Sequence, residues 1–473
     1  MTSLLILIPL FSVMVLNLPS RTMMRRFAFW LSLTLAASQV CLAAFFGTGL
    51  WSSPLDIYGS FFRFNLAVDN LSRIMLLSVG IVVLTAILVG RETIKDENQH
   101  FNFTNLMLLV LAGMNGVVTT VDVFSLYVFM EITAVASFVL IALQKERDAL
   151  EASFKYIVFS ALASVMMLSA IALLLMTSGG TGFAGISQSL KSLPANPLTL
   201  LAMGLFVCGL FIKGGAMPFH GWLPDAYSAA PAPVSILLAG IVTKTLGIYT
   251  LIRIAGFVLG PNYALNSILL LIGALSIVAG ALAALGQKDF KRMLAYSSIS
   301  QVGYIVIGLG CGTPLGIFGA VFHLFNHSVF KSLLFANSAA VESQTGTRNM
   351  ERLGGLAERM PRTGATSIIG FLSAAGIPPL AGFWSKTIIV VALWQAGFRA
   401  YSSVAVMAGA ITLAYFLSMQ HRVFFGKIKE ELKSVKEANF NLLLPALFLA
   451  AITVGVGILF PFVHDTFITS FFR

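Results

Sequence analysis

Residues 211–240 read FIKGGAMPFHGWLPDAYSAAPAPVSILLAG, an apolar stretch that is interrupted near its centre. Lys213 stands at its head, and two glycines and four prolines follow, among them Pro218 and Pro224. Because proline removes a backbone donor and breaks the helical hydrogen-bond ladder, the pattern predicts a helix that is broken within a membrane. Irregular backbone at membrane depth is tolerated only against protein or water, and broken helices of this kind line ion sites. A plain loop at a helix end is the alternative interpretation.

A second stretch, residues 372–394, has the same character: LSAAGIPPLAGFWSKTIIVVALW. Gly376, Pro378 and Pro379 interrupt the apolar run shortly before Lys386. Two broken helices, each with a nearby lysine and separated by roughly five helices, are typical of inverted repeats. The sequence therefore predicts a first inverted five-helix repeat over residues 103–252 and a second over residues 265–420.

The composition of the remaining chain is that of a membrane protein. Hydrophobic residues make up 58% of the 473 residues and charged residues only 10%, whereas soluble domains carry roughly a quarter charged residues. Apolar runs near the bilayer length of about 20 residues recur from end to end. We expect one transmembrane domain, residues 1–473, in an all-α polytopic membrane protein of about fourteen helices. The predicted spans are 3–18, 28–49, 65–90, 103–121, 124–143, 156–176, 198–217, 232–252, 265–285, 293–310, 315–341, 363–394, 401–420 and 441–460.

The basic residues are sorted by loop. Of the 30 Lys and Arg residues, 20 fall in loops that follow odd-numbered spans and 4 in loops that follow even-numbered spans. Binding to nucleic acid would not require this alternation, so the net charge of +11 does not indicate a nucleic-acid partner. By the positive-inside rule the odd-numbered loops face the cytoplasm, which predicts a multi-pass protein of the cell (inner) membrane with both termini on the outer side.

Of the other six basic residues, Arg473 is the last residue of the sequence and five lie inside the predicted spans: Arg73, Lys213, Lys244, Lys331 and Lys386. A lysine at a helix centre costs about 2.5 to 3.5 kcal/mol on insertion scales, so a lysine kept there is a functional candidate whose partner has to be found. Glu131, in an otherwise apolar span, is the clearest acidic counterpart, and Lys213 is its favoured partner. Such a pair is either a structural ion pair or a pair that exchanges a proton as it opens and closes.

His323, His327 and Lys331 follow one another at intervals of four residues. This spacing lines the three side chains along one slowly drifting face of a helix. Neutral histidine both donates and accepts a proton, so the stripe is a candidate proton relay; hydrogen bonds to a neighbouring helix are the simpler interpretation. The spacing also fits two zinc ligands, but no carboxylate or cysteine lies nearby in sequence, and we predict no metal site.

Motifs for cofactor chemistry are missing from the sequence. It contains no dinucleotide-binding glycine motif after a strand, no P-loop and no nucleophile elbow, and its three cysteines stand singly in apolar runs. We therefore predict no cofactor in this chain. Any redox chemistry would be supplied by other subunits.

At these residues the sequence resembles a known family, the antiporter-like proton-translocating subunits shared by respiratory complex I (NADH:quinone oxidoreductase), Mrp-type Na+/H+ antiporters and membrane-bound hydrogenases. The resemblance covers nearly the whole chain. It rests on KGGAMPFHGWLPDAYSAAPAPVS (213–235), GQKDFKRMLAYSSISQVGY (286–304), HxxNHxxFKxLLF (323–335), TGTRNMERLGGL (345–356) and GIPPLAGFWSK (376–386).

The resemblance implies roles for the buried charges. Glu131 would be the carboxylate that modulates the proton affinity of Lys213 on the first broken helix, and Lys244 the connecting lysine. Protons would then pass the region of His323, His327 and Lys331, and Lys386 on the second broken helix would connect to the far side or to a neighbouring subunit.

The function that we expect is proton translocation within a complex I-related redox-driven assembly, with other membrane subunits, and peripheral redox subunits, as partners. A subunit of an Mrp-type antiporter is the alternative, and a non-conducting scaffold or a stand-alone solute transporter are further ones. The same motifs are shared by all these complexes, so they do not separate them. The transported ion stays open between H+ and Na+; a single clear intramembrane acid favours protons, because Na+ prefers oxygen ligands.

Overall fold

Nearly the whole of the described chain is helical, and several helices begin and end where the sequence offers capping residues. The computed structural model describes residues 2–18, 21–45, 55–57, 62–192, 197–260 and 262–471. Asp96, Asp122 and Asp289 each precede a helix and accept a hydrogen bond from a backbone N–H three residues on. Gly179 and Gly346 end two long helices in the left-handed conformation that glycine adopts without steric cost.

The chain divides into two compact units. The first comprises Met1–Ile87, Lys95–Gly215 and Ile241–Asn262, and the second comprises Leu88–Ile94, Ala216–Gly240 and Tyr263–Arg473. The first unit begins with two helices and a short antiparallel hairpin, in which Leu55 pairs with Phe64 and Ile57 with Phe62. Its elements are α1 (Leu4–Leu16), α2 (Arg21–Phe45), β1 (Leu55–Ile57), β2 (Phe62–Phe64), α3 (Asn70–Thr93, whose last turn belongs to the second unit), α4 (Glu97–Thr119), α5 (Val123–Ile141), α6 (Arg147–Ser178), α7 (Phe183–Ser192) and α8 (Pro197–Gly214).

The second unit holds the remaining α-helices, and its central helices α12 and α13 are buried along most of their length. Two single 3₁₀ turns, Leu356–Glu358 and Glu430–Leu432, lie in its loops. Its α-helices are α9 (Leu223–Ala229), α10 (Ala232–Leu237), α11 (Tyr263–Leu285), α12 (Phe290–Gly310), α13 (Pro314–Thr345), α14 (Pro361–Ala375), α15 (Ala381–Gln395), α16 (Arg399–Val423) and α17 (Phe440–Phe471).

Both predicted helix interruptions are present. After α8 ends at Gly214, Gly215 has a φ of +66°, and the Met217–Pro218 peptide is cis. Pro224 stands in the first turn of α9, where a missing N–H does no harm. In the second interruption Gly376 ends α14 with a φ of +85°, and the Pro378–Pro379 peptide is cis. The predicted span 363–394 is therefore two half-helices, α14 and α15.

The helix predicted over residues 232–252 has a different winding. After α10 the backbone continues as three π-helical segments, Leu238–Val242, Lys244–Tyr249 and Ile252–Val258. The wider i→i+5 turn is seen in the side chains too, because the hydroxyl of Thr250 bonds the carbonyl of Thr245, five residues back, at 3.0 Å. Sequence patterns for α-helix do not distinguish this wider winding.

Eleven helices of the described residues are long and apolar enough to cross a membrane. Their outward residues are apolar where a soluble protein would be polar; on α6, Phe154, Leu162 and Val165 are all more than half exposed. Three of the fourteen predicted spans fall outside this set. They are α1, which has 13 residues; α13, whose histidines and lysine lower its hydropathy; and the pair α14 and α15, with 15 residues each. Residues 46–49 of the second predicted span lie outside the described residues.

Candidate functional site

In the first unit, Lys213 and Glu131 form an ion pair. The Lys213 Nζ donates to Glu131 Oε1 over 2.7 Å, so the pairing predicted from the scarcity of buried charge is present. Nζ also lies 3.0 Å from the hydroxyl of Ser160 and 3.3 Å from that of Ser164 on α6, and Ser164 donates to the same carboxylate oxygen over 2.6 Å. The ammonium thus finds an acceptor for each of its three protons, one charged and two neutral.

Close backbone contact fixes the position of Lys213. A Cβ on Gly247, in the second π-helical segment, would lie 2.2 Å from the Cα of Gly214 and 2.9 Å from the carbonyl carbon of Lys213. Real Cβ atoms do not approach backbone this closely, so only glycine fits. The lysine is therefore anchored where α8 and the π-helical segment touch backbone to backbone.

Lys244 begins that same π-helical segment and is fully buried. Its Nζ donates to the hydroxyl of Thr243 over 3.1 Å. π-Helical turns recur at functional sites because they offset side chains from the α-helical register. Here the register change coincides with the predicted connecting lysine.

In the second unit, Lys331 lies on α13 and is held from α12. Its ammonium bonds the hydroxyl of Ser297 at short range and donates to the carbonyl of Leu294 over 3.1 Å. The ring centroid of Phe416 lies 5.7 Å from Nζ, within the range of a cation–π contact.

The two histidines of the predicted relay are fully buried on the same helix face. Their ring centroids are 6.5 Å apart, and His323 Nδ1 lies 2.9 Å from the hydroxyl of Ser385 on α15. His327 packs edge-on against Phe330 at 5.3 Å. The spacing of four residues therefore gives the neighbouring rings that the sequence predicts, and α15 provides the hydroxyl partner.

Lys386 lies next to Ser385 and just after the second helix interruption. Its Nζ donates to the carbonyl of Ala374, at the end of α14, over 2.7 Å, and lies 4.3 Å from the ring centroid of Tyr304 on α12. Among the described residues no carboxylate pairs with it, in contrast to Lys213. The two predicted lysines of the broken helices thus have different partners.

Arg73, the fifth basic residue inside the predicted spans, bonds the end of a neighbouring helix. Its guanidinium donates over 2.8 Å to each of the carbonyls of Ala43 and Ala44 at the end of α2. A cation that bonds the last carbonyls of a helix is stabilising because those groups have no partner within the helix.

The sequence did not reveal a further charged pair of the first unit, Asp69 and Arg253. Arg253 holds the carboxylate with two bonds of 2.5 and 2.8 Å, and the backbone N–H of Ser72 adds a third. Burial raises the pKa of Asp69, but the hydrogen bonds and charge of Arg253 outweigh it and lower the pKa from 3.8 to about 2. Both residues stand at ends of predicted spans, where a single charge gives no signal in sequence.

The hydroxyl groups around the lysines were also not predicted from the sequence. The Ser164 hydroxyl, for example, lies 2.8 Å from the carbonyl of Ser160 and 2.6 Å from Glu131 Oε1, so its single proton has two acceptors within reach. A serine that bonds the preceding turn is common in membrane helices. Ser297, Ser385 and Tyr304 give no signal either, because single hydroxyl and aromatic residues occur throughout apolar spans. Only the charged residues stand out.

Helices with apolar outer faces that enclose buried lysines and histidines, together with the partly exposed Glu131, define a polytopic membrane protein built around ionisable groups. Residues 120–412 match the family described as NADH:quinone oxidoreductase/Mrp antiporter, TM. The chain belongs to this family and is an antiporter-like membrane subunit, as its motifs predict.

Two relatives and one solved structure illustrate the similarity. The chain is 32% identical over 414 residues to an Na(+)/H(+) antiporter subunit of Alkalihalophilus pseudofirmus, a match that covers 86% of this chain and 82% of the relative. It is 34% identical over 420 residues to an NADH-quinone oxidoreductase subunit of Desulforudis audaxviator, with the same two shares. A chain of the membrane-bound sulfane sulfur reductase, an archaeal respiratory membrane complex, superposes with a TM-score of 0.87 at 31% identity, over 97% of this chain and 76% of that one.

Proposed function

We propose that this chain translocates protons as a membrane subunit of a complex I-related, redox-driven complex. The observation that carries the proposal is the pair of Lys213 and Glu131, in which a buried ammonium meets a carboxylate and two hydroxyl groups inside an apolar helix bundle. When such a pair opens, the lysine loses its counter-charge and releases a proton more readily; when it closes, the lysine takes a proton up again. Movement of the pair would couple to transport in this way.

The remaining charges supply further steps of the same proposal. Lys244 would receive the proton in the first unit, and His323, His327, Lys331 and Lys386 would carry it in the second. Each of these side chains is buried and has a neighbouring polar group or aromatic ring. A scaffold without transport would gain nothing by keeping so many ionisable groups out of water.

The proposed architecture is fourteen spans that contain two inverted repeats, residues 103–252 and 265–420. It is supported by the two interrupted helices, each followed or preceded within a few residues by a lysine. The alternation of basic loops supports a place in the cell membrane with both termini on the outer side.

The proposed partners are other membrane subunits, with redox cofactors in peripheral subunits and none in this chain. The names of two similar proteins, an NADH-quinone oxidoreductase subunit and a sulfane sulfur reductase chain, support a redox-driven assembly. The similarity to an Na(+)/H(+) antiporter subunit favours a second candidate, a subunit of an Mrp-type antiporter. Copurification separates the two, because iron–sulfur, flavin or nickel–iron proteins among the partners would fit only the first.

The test of transport is proton uptake into membrane vesicles that carry the intact assembly, driven by its electron donor or by an Na+ gradient. Lys213→Ala and Glu131→Ala should each lower the rate by roughly tenfold or more while assembly is unchanged, because each leaves a buried charge unpaired or removes it. Lys155→Ala is the matched control, since Lys155 pairs with Glu151 over 2.8 Å on the exposed face of α6. Wild-type rates in both buried-pair variants would rule out the proposed path and favour the scaffold.

A further inference from the structure

Lys386 is a buried cation whose charge has no carboxylate to balance it among the described residues. Lys213, the corresponding lysine of the first broken helix, has Glu131 at 2.7 Å. A buried ammonium without any stabilising partner is costly, so the surroundings of Lys386 have to supply negative potential in another form.

One source is the end of α14. The carbonyl of Ala374 lies one residue before the last helical position and accepts the ammonium over 2.7 Å. The carbonyls at a helix C-terminus carry partial negative charge and have no partner within the helix. Gly376 makes room for this approach, because a Cβ there would lie 3.0 Å from the Cδ of Lys386.

The other source is the ring of Tyr304. Its centroid lies 4.3 Å from Nζ, well inside the roughly 6 Å range in which the negative face of an aromatic ring attracts a cation. The ring cannot turn away freely, because its hydroxyl donates to the carbonyl of Ala405 on α16 over 2.6 Å and the residue is buried. Helices α12 and α16 therefore fix the ring beside the ammonium.

We propose that the negative face of the Tyr304 ring stabilises the charged form of Lys386, as the Glu131 carboxylate does for Lys213. Tyr304 thereby sets how firmly Lys386 holds its proton during transport. The inference rests on the proposed function, in which Lys386 carries protons. A ring differs from a carboxylate in having no titration of its own near neutral pH, so its attraction for the ammonium is constant while the pair of the first unit depends on movement.

Other ionisable groups near Lys386 are few among the described residues. His323 on α13 interacts with it electrostatically, and Tyr415 on α16 interacts with Tyr304. From α14 the contact is the backbone carbonyl of Ala374, and residues 440–462 of α17, which packs against α15, contain no ionisable side chain. A pH effect of changes at Tyr304 would therefore report on Lys386, with His323 as the neighbour to control.

The experiment replaces Tyr304 by phenylalanine and then by phenylalanine with one, two and three ring fluorines, in the full chain within its assembly. Fluorine leaves the ring shape nearly unchanged but weakens the negative potential of its face. The proton-transport rate of vesicles is measured from pH 5 to 10, and its alkaline midpoint is compared. Since a weaker ring disfavours the charged lysine, the midpoint should fall with each fluorine, by about one pH unit in total. Tyr304→Phe keeps the ring but loses the hydroxyl bond to Ala405, so it is the reference with which the fluorinated variants are compared.

A midpoint that is the same throughout the fluorinated series, in assembled complexes, would overturn the proposal and leave Tyr304 a packing role. Because His323 is itself in the proposed path, its contribution is tested without transport: the pH dependence of melting in detergent should change with fluorination in a His323→Gln background as it does in the wild-type background. Disappearance of that change would assign the effect to His323 and overturn the proposal as well. Lys386→Gln tests the underlying function separately. Loss of transport supports it, whereas wild-type transport would remove Lys386 from the proposed path and, with it, the role of Tyr304.

Discussion

Variants of Glu131 and Lys213 separate two effects: the loss of stability caused by an unpaired buried charge, and the loss of transport caused by removing a proton carrier. Glu131→Gln removes the carboxylate and leaves the Lys213 ammonium with only Ser160 and Ser164, so we expect it to lower the free energy of unfolding by about 3 kcal/mol. The double variant Glu131→Gln/Lys213→Met has no charge to bury and should recover most of that loss. Denaturant unfolding of the purified assembly in detergent measures both.

Transport should behave differently from stability in these two variants. The double variant is expected to be stable and inactive, because it lacks the lysine. If it were as unstable as Glu131→Gln alone, the pair would not be the cause of the loss. If it transported at the wild-type rate, Lys213 would not carry protons.

Asp69 gives a prediction about pH. Because its folded-state pKa is lowered to about 2, the pair with Arg253 stabilises the fold above pH 4 and loses this contribution as the pH falls toward 2. Asp69→Asn should therefore lower the unfolding free energy at pH 7, by about 1 kcal/mol after solvent screening of this half-exposed carboxylate, and by less at pH 2. Melting of the two proteins in detergent across pH 2 to 7 measures the difference, and an equal gap at every pH would contradict the prediction.

The charged residues of the site could be predicted from the sequence, whereas their neutral partners could not. Lys213 and Glu131 stand out because so few charges occur in the spans, and the cost of burying them demands an explanation. Tyr304 does not stand out, since aromatic residues are frequent in apolar helices. Its relation to Lys386 depends on how α12 and α15 pack, which residue types alone do not specify.

The contact between α8 and the π-helical segment gives a prediction for two helical elements. Gly247→Ala would place a Cβ 2.2 Å from the Cα of Gly214, so the two backbones have to separate beside Lys213. Overpacking of this kind costs about 1 to 3 kcal/mol, and the displaced lysine should transport protons at a reduced rate. Unfolding in detergent and proton uptake by vesicles measure the two effects.

Gly204→Ala, on the same helix α8, is the matched control. A Cβ there meets nothing within 4 Å, so the substitution should be neutral or stabilise the helix by up to about 1 kcal/mol. A loss of the same size in both variants would mean that α8 tolerates no side chain anywhere, and the close contact with Gly247 would not be the reason.

At the scale of elements, the breaks were predictable and the winding was not. Proline and glycine near residues 218 and 378 act through missing donors and free φ angles, and these effects are local. The π-helical segments from Leu238 to Val258 have no comparable local cause, since their apolar residues are equally suited to an α-helix. Packing against neighbours such as Gly214 depends on the tertiary structure.

The orientation of the whole molecule in the membrane is a prediction from its loop charges. In a background in which Cys41, Cys208 and Cys311 are replaced by serine, Gln188→Cys should react with a membrane-impermeant maleimide in intact cells. Ser434→Cys, in a loop rich in lysine, should react only after the cells are permeabilised. The opposite result at both positions would invert the orientation, and labelling of both in intact cells would rule out an odd number of spans between them.

The number of spans shows how well averaged hydropathy detects the membrane-spanning helices of the chain. Eleven of the described helices satisfy length and apolarity together, and those that do not are short, broken or carry the histidines and Lys331. The broken helix and the helix with the histidines are the ones that carry predicted functional residues. A window that averages hydropathy therefore finds the helices of Glu131, Lys213 and Lys244 but misses α13 and α15 of the second unit.

The division of the chain has a consequence for biosynthesis. Residues Ala216–Gly240 belong to the second unit, yet α12 and α13, against which α9 and α10 pack, follow about 50 to 120 residues later. When this segment leaves the ribosome, the surface that will cover it does not yet exist. A nascent chain arrested at residue 280 should thus be cut by protease near Tyr227, and one arrested at residue 400, from which α13 has left the ribosome, should be protected. Equal cleavage of the two arrested chains would contradict the prediction that α12 and α13 are what protects this segment.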